Sequence, residues 1–281
     1  MLNSLAATYY RQGKYSQAEP LLQQALTIWE TKLGAEHPET AKILYSLAIL
    51  YIHLGKYEQA DPLVKRVLSI QENQLGAEHP ETISSLESLA TLYFHQGKDE
   101  QAEALYQQTL TLHEKHFGAE HPDTAWSMRH LALHYLHLGK YEQAEPLLVE
   151  VFSFREKHLG AEHPDTASSM SDLADLYLHQ GKFEQAVSLF QQAIAIQEKH
   201  LGVDHPDIAT SLYELAVLLH DQGNHEEAEA LYQRALNLLE QRFGATHRNV
   251  QNIKRAYAEF LHRIGRDANT AALGVNDELS V

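Results

Sequence analysis

From Pro38 to Leu54 the apolar residues Ala41, Leu44, Leu47, Ala48, Tyr51 and Leu54 follow one another in steps of three and four, the spacing that lines one face of an α-helix. A second stripe of helical character runs from Tyr57 to about Asn73 through Tyr57, Ala60, Leu63, Val64, Val67, Leu68 and Ile70. The breaks are explicit. Gly55-Lys56 places a glycine just past the first helix, where a left-handed residue ends the helix cheaply. Leu75-Gly76 ends the second, and His79-Pro80-Glu81 starts the next, with proline at the first helical position and an acid just inside. Elsewhere Asp123, Asp165 and Asp207 open first helices, while Lys115-His116, Lys157-His158 and Lys199-His200 close second ones. Negative starts and positive ends both suit the helix macrodipole. The element predicted is an antiparallel helical hairpin, with a helix A followed by a helix B.

The hairpin repeats. Leu33-Gly34-Ala35-Glu36-His37-Pro38 returns every 42 residues as Leu75 to Pro80, Phe117 to Pro122, Leu159 to Pro164 and Leu201 to Pro206, with a decayed copy from Phe243 to Arg248. Gly13, Gly55, Gly97, Gly139, Gly181, Gly223 and Gly265 keep the same step. A fixed period of this size predicts a stack of similar units, which has no single core to outgrow and so overrides the two domains that length alone suggests. Units are expected to start near residues 1, 38, 80, 122, 164, 206 and 248, the first and last incomplete. Met1 enters halfway along a helix A, so the chain is expected to be a segment of a longer one. Lys254 stands where Leu44, Leu86 and Leu212 stand in earlier units, and Arg255 and Arg263 add polarity, as a capping unit requires. The solenoid is expected to span residues 1–266, and residues 267–281, mostly small and polar around Ala271-Ala272-Leu273, to form a tail.

Leu47-Ala48-x-x-Tyr51-x-x-x-Gly55-x-Tyr57-x-x-Ala60 resembles the core of a tetratricopeptide repeat, and Ala132, Tyr135, Gly139, Tyr141, Ala144 and Ala174, Tyr177, Gly181, Phe183, Ala186 repeat it. The 42-residue period and the Leu-Gly-x-Glu/Asp-His-Pro-Asp/Glu junction resemble the kinesin-light-chain type. The resemblance implies an all-α, right-handed superhelical α-solenoid of antiparallel helix hairpins, with the A helices on the concave side. It also implies a non-catalytic protein- or peptide-interaction module, such as the sensor or scaffold part of a larger signalling protein. Repeats of this type commonly carry paired asparagines before the Leu-Ala that hold a bound peptide backbone. Here only Asn3 keeps the first of those places; later units have Tyr45, Glu87, Arg129, Ser171 and Tyr213. Side-chain complementarity is therefore expected to choose the ligand.

Composition narrows the classes. The chain carries 38 Asp plus Glu against 22 Lys plus Arg, formally −16, and no basic run of the kind a nucleic acid partner needs. It has no cysteine, which excludes disulfides and thiol chemistry and fits a reducing, cytoplasmic setting. No basic region precedes an apolar run at the N-terminus, and no apolar stretch reaches the roughly 18 residues of a membrane span. No phosphate-binding glycine loop or nucleophile elbow is found, and His113-Glu114-Lys115-His116 is one residue short of a zinc-protease spacing, so no enzyme and no cofactor is expected.

Nineteen histidines raise the question of metal. The junction histidines lie one per unit, about two helix-packing distances of 8–10 Å apart, too far to share one ion. They are read as structural groups at helix starts. His130, His134 and His137 fall at i, i+4 and i+7 on one helix A, and His134 interrupts a row of Leu50, Leu92, Leu176 and Leu218. Asp172, one period beyond His130, could orient it. The trio is a metal candidate of low weight, set against hydrogen-bonded histidines of the inner face, and the alternative function it carries is a metal- or small-molecule-responsive regulator. A purely architectural spacer is the third reading.

Residues that recur hold the solenoid; those that vary on helix A are free to serve a partner. The expected partner-binding face comprises Tyr45, Ile49, His53, Glu87, Phe94, His95, Trp126, Arg129, His137, Asp175, His179 and Tyr213. Its mixture of aromatic, aliphatic and charged residues suits a protein or peptide ligand, and aromatic anchors with arginine carry most of the energy in such faces. End-to-end self-association through the incomplete units is a further expectation.

Overall fold

The computed structural model describes residues 2–11, 14–245, 247–266 and 273; the side chains of Arg11, Asp207 and Arg248 are not described, and the polar tail expected over residues 267–281 lies outside these residues apart from Leu273. Among the described residues there is helix and turn and no strand. The chain falls into two compact units, Met1–Leu138 and Gly139–Val281. The first holds α1 (Leu2–Arg11), α2 (Tyr15–Leu33), α3 (Pro38–His53), α4 (Tyr57–Leu75), α5 (Pro80–His95), α6 (Asp99–Phe117) and α7 (Pro122–His137). The second holds α8 (Tyr141–Leu159), α9 (Pro164–His179), α10 (Phe183–Leu201), a 3-10 turn Pro206–Ile208, α11 (Ala209–Asp221), α12 (His225–Phe243) and α13 (Arg248–Arg263). The odd-numbered helices from α3 are the A helices and the even-numbered ones from α2 are the B helices, each B helix running one or two residues past the end read from the sequence.

Two glycine turns alternate, and each has its own physics. After α3 the chain reverses through Gly55 at φ +69°, with the amide of Lys56 donating to the Tyr51 carbonyl and that of Gly55 to Ile52, a Schellman closure. After α6, Gly118 sits at φ +83°, ψ +170°, a region that only glycine occupies without strain. Its carbonyl faces the following helix and accepts the Thr124 hydroxyl at 2.7 Å. Thr40, Thr82 and Thr166 make the same bond to Gly34, Gly76 and Gly160 at 2.8–2.9 Å, and all four threonines are fully buried.

The junction histidine caps the next helix. Nδ1 of His37, His79, His121, His163 and His247 accepts the backbone N–H two residues on, at 3.1–3.3 Å. The recurring stretch is thus a complete helix start: glycine turn, histidine cap, proline at N1, and a threonine that ties the first turn back to the glycine. In the copy at His205-Pro206-Asp207-Ile208, isoleucine stands in the threonine place, and the chain passes through a 3-10 turn, Pro206–Ile208, before α11.

Small residues set the approach of A to B. Ala48 with Ala60, Ala90 with Ala102, Ala174 with Ala186 and Ala216 with Ala228 are each fully buried in their hairpins. In unit 1 the core gathers Leu22, Leu47, Leu50, Val64, Leu86, Leu89 and Leu92, with Leu44, Val67 and Ile70 in a second group. In unit 2 the main core surrounds Phe190, Leu212, Leu215, Tyr232, Ile253 and Phe260. The repeat tyrosine also links neighbouring hairpins: Tyr51 takes a hydrogen bond from Gln23 at 3.0 Å, Tyr135 from Gln107 at 2.9 Å and Tyr257 from Gln233 at 2.8 Å.

Candidate functional site: the A-helix face

Within unit 1 the A helices present their variable residues on one side and at their C-terminal ends. Tyr45 is half-buried on α3, its hydroxyl 3.2 Å from that of Ser88 on α5, and burial pushes its pKa up. Ile49 is partly buried, whereas Ile52 at 9% and Leu136 at 9% exposure belong to the interior. His53 is exposed and shares a hydrogen bond with the Tyr10 hydroxyl at 2.9 Å. On α5, Phe94 lies edge-on to His95 (5.2 Å) and to His137 of α7 (4.9 Å), while His95 stacks on Tyr57 at 5.2 Å. On α7, Trp126 is 39% exposed and packs on His130, one turn along, at 3.7 Å between ring centres; Arg129 beside it is partly buried. Unit 1 therefore gathers Phe94, His95 and His137 into one aromatic group and Trp126 with His130 into another.

Glu87 does not join them. It is 5% exposed, facing the interior between α5, α6 and α7, and this corrects the expectation that it lines a binding face. The Ser127 hydroxyl donates to its carboxyl, and Nδ1 of His113 stands 2.8 Å from the same serine oxygen and 3.5 Å from the carboxyl. Burial pushes Glu87 up to about 8 against an opposing bond from Ser127, and burial lowers the His113 pKa. The trio contains serine, histidine and glutamate, but Ser127 is fully buried and both partners converge on its oxygen, so no substrate could reach a nucleophile there. It is a closed polar junction. Its unit 2 counterparts are Arg155 with Ser169 at 2.9 Å, and Ser171 with Ser211 at 2.8 Å and Gln197 beyond. The signal was available: His113 breaks a row of Gln71, Arg155 and Gln197, opposite the serines Ser85, Ser127, Ser169 and Ser211.

Unit 2 places Asp175 and Tyr213 partly buried and His179 exposed on its own A helices. His179 lies 3.2 Å from the Asp175 carboxylate, and burial raises both Asp175 and Tyr213. Neighbouring Glu214 is pushed up to about 8 by burial, with Asp175 adding repulsion. As for metal, among the described residues no three His, Asp or Glu side chains are grouped so as to hold an ion. His130 stacks with Trp126 and Tyr106, and His134 is buried against Tyr106 and Phe94. No described helix is long and apolar enough to cross a membrane.

The hairpin, its alanine contacts and its capped junction define a class, the helical-repeat scaffolds. Models of the tetratricopeptide repeat match residues 1–73, 39–115, 81–157, 123–199 and 171–243, and the chain belongs to that family. Its repeats of about 42 residues are of the kinesin light chain-like kind. The nearly identical TPR-like repeats of a Podospora anserina protein described as a kinesin light chain are 32% identical, with a TM-score of 0.57, over 73% of this chain and 97% of that one. The apo form of RapI superposes with a TM-score of 0.71 at 15% identity, over 97% of this chain and 93% of that one. A Rap protein complexed with Competence and Sporulation Factor gives 0.61 at 13%, over 97% and 94%. At such identities the last two show the fold alone. No curated protein matches the sequence. Tetratricopeptide repeats are protein–protein interaction scaffolds and are generally non-catalytic.

Proposed function

We propose that this chain is a non-catalytic module that binds a protein or peptide along the exposed side of its A helices. In unit 1 the binding residues are Tyr45, Ile49, His53, Phe94, His95, Trp126, Arg129 and His137; in unit 2, Asp175, His179 and Tyr213 extend the same kind of face. The observation that carries the reading is where the repeat keeps its rule and where it drops it. The alanine rows are constant and fully buried, and threonine recurs fully buried at Thr40, Thr82, Thr124 and Thr166, whereas one A-helix position holds in turn Lys42, Ser84, Trp126, Ser168 and Thr210. At that position Trp126, 39% exposed, is a large apolar side chain on the surface of an acidic protein, the kind of residue that anchors interfaces. The Rap protein bound to Competence and Sporulation Factor is a precedent for a ligand held by this fold. The setting we infer is the sensor or scaffold part of a larger cytoplasmic signalling protein, in keeping with a chain that has no cysteine.

Trp126→Ala should weaken binding of the partner captured by the immobilised chain by about 2 kcal/mol or more, roughly thirtyfold, with the helical signal unchanged. Gln108→Ala, an exposed change on α6, should leave binding within about twofold. Gln107 would be a poor control, because it bonds Tyr135. Loss of binding in Gln108→Ala with retention in Trp126→Ala would place the partner on the B helices and overturn the assignment.

A further inference from the structure

The repeats align with one another, so a residue that breaks two rows at one place stands out. The B helices open with Tyr15, Tyr57, Asp99, Tyr141, Phe183 and His225. One buried row of the A helices reads Leu50, Leu92, His134, Leu176, Leu218 and Phe260, its leucines fully buried. Asp99 and His134, a carboxylate for an aromatic ring and an imidazole for a leucine, meet at the same junction of α6 and α7, where Asp99 acts on the His134 ring through its charge and its backbone.

These groups are also orphans. His134 is 1% exposed, and neither ring nitrogen makes a well-formed hydrogen bond, the Asp99 backbone lying only close enough to favour the charged ring; Oδ1 of Asp99 is buried without a partner. Buried polar atoms are almost always paired, so three orphans at one junction call for a reason. The apolar side of the ring is occupied by Phe94, edge-on at 5.8 Å, and Tyr106 at 5.7 Å. The same Phe94 touches His137, which is exposed. The titratable groups around His134 in its unit are Asp99, Glu103 and Tyr106 from α6, His130 and His137 from α7, and His95 at the end of α5, next to the uncharged Phe94.

We propose that Asp99 and His134 form a proton-operated latch: neutral His134 packs beneath Phe94, and a proton taken up from solvent draws the ring onto the Asp99 carboxylate, displacing Phe94 and His137 at the surface. The balance is simple. One proton is bound, the imidazolium donates an N–H to Oδ1, and two orphaned groups become one charge-assisted pair. Burial lowers the His134 pKa, while Asp99 and Glu103 oppose that effect. A depressed histidine favours the neutral form, so the closed packing is fully present above the ordinary histidine value of about 6.5 and is lost as pH falls through the lower folded value. That this would loosen a bound partner rests on the A-face reading above; the latch itself does not, and its test needs the chain alone.

The experiment follows the ring resonances of His134 and Phe94 by NMR from pH 8 to 4.5, assigned with His134→Leu and Phe94→Leu. His134 should titrate below the ordinary histidine value of about 6.5, and Phe94 should shift with the midpoint of His134. Asp99→Asn should move that midpoint down by about half a pH unit or more, since the compensating charge is gone. Asp99→Tyr combined with His134→Leu, which restores the residues of neighbouring repeats, should fold and leave Phe94 without a response at the His134 midpoint. The proposal fails if Phe94 does not shift at the His134 midpoint, or if Asp99→Asn leaves that midpoint where it was. Should the double variant not fold, Asp99→Asn alone decides.

Discussion

Glu87→Gln is expected to make the protein less stable than the wild type at pH 5 or leave it equal, and clearly more stable at pH 9. The carboxyl is held at about 8, against an ordinary value of 4.5, because it is buried among α5, α6 and α7. A folded-state pKa above the unfolded one means that the stabilising form is the protonated one. Its contribution is complete below about 4.5 and is lost as pH rises to about 8, a change on the order of 3–5 kcal/mol at most. Glutamine keeps the shape and an acceptor for Ser127 but has no proton to lose. His113 works in the other direction: burial lowers its pKa, so its share is present above the ordinary histidine value and is lost as pH falls through the folded one. Urea unfolding at pH 5, 7 and 9 reads both arms. Parallel pH profiles for wild type and Glu87→Gln would show that the carboxyl is already ionised in the folded chain and that the junction does not hold it protonated.

Phe190→Ala should cost about 3–5 kcal/mol, the usual range for deleting a buried aromatic ring and leaving a cavity. Phe190 is 1% exposed on α10 and sits in the unit 2 core with Leu212, Leu215 and Tyr232. In a repeat protein each hairpin leans mainly on its neighbours, so the loss should appear first in unit 2 while the helical signal of unit 1 persists to higher urea. Phe183, 47% exposed at the start of the same helix, provides the contrast, and Phe183→Ala should stay within about 0.5 kcal/mol. Similar losses at the two positions in urea unfolding would mean that the face of α10 is wrongly assigned.

Much of this architecture is legible in the chain itself because the repeat states each rule several times. Helical spacing, the glycine step and the His-Pro starts place the helices to within one or two residues, as at Pro38–His53 and Tyr57–Leu75. The structural reading of the junction histidines holds at His37, His79, His121, His163 and His247, whose Nδ1 atoms accept backbone N–H groups. Threonine recurs with the period at Thr40, Thr82, Thr124 and Thr166, but the row alone does not say that its hydroxyl bonds the glycine carbonyl six residues back. Glu87 shows the limit of reasoning by rows. Its position carries partly buried Tyr45, Arg129 and Ser171 in other units, but Ser127 and His113 close over it, and that closure depends on residues 26 to 40 positions away along the chain. That the Asp99 charge reaches the His134 ring follows from the packing of α6 on α7, since nothing in the sequence says which of two broken rows face each other.

Binding along the A helices is tested most directly by finding which helices a partner covers. Hydrogen exchange measured by mass spectrometry, on the chain alone and with its captured partner bound, resolves A helices from B helices. Binding along the proposed face predicts slowed exchange across α3, α5 and α7, strongest at the ends carrying Phe94 and His137 and around Trp126, with α4 and α6 unchanged. Slowed exchange confined to α4 and α6 would contradict it.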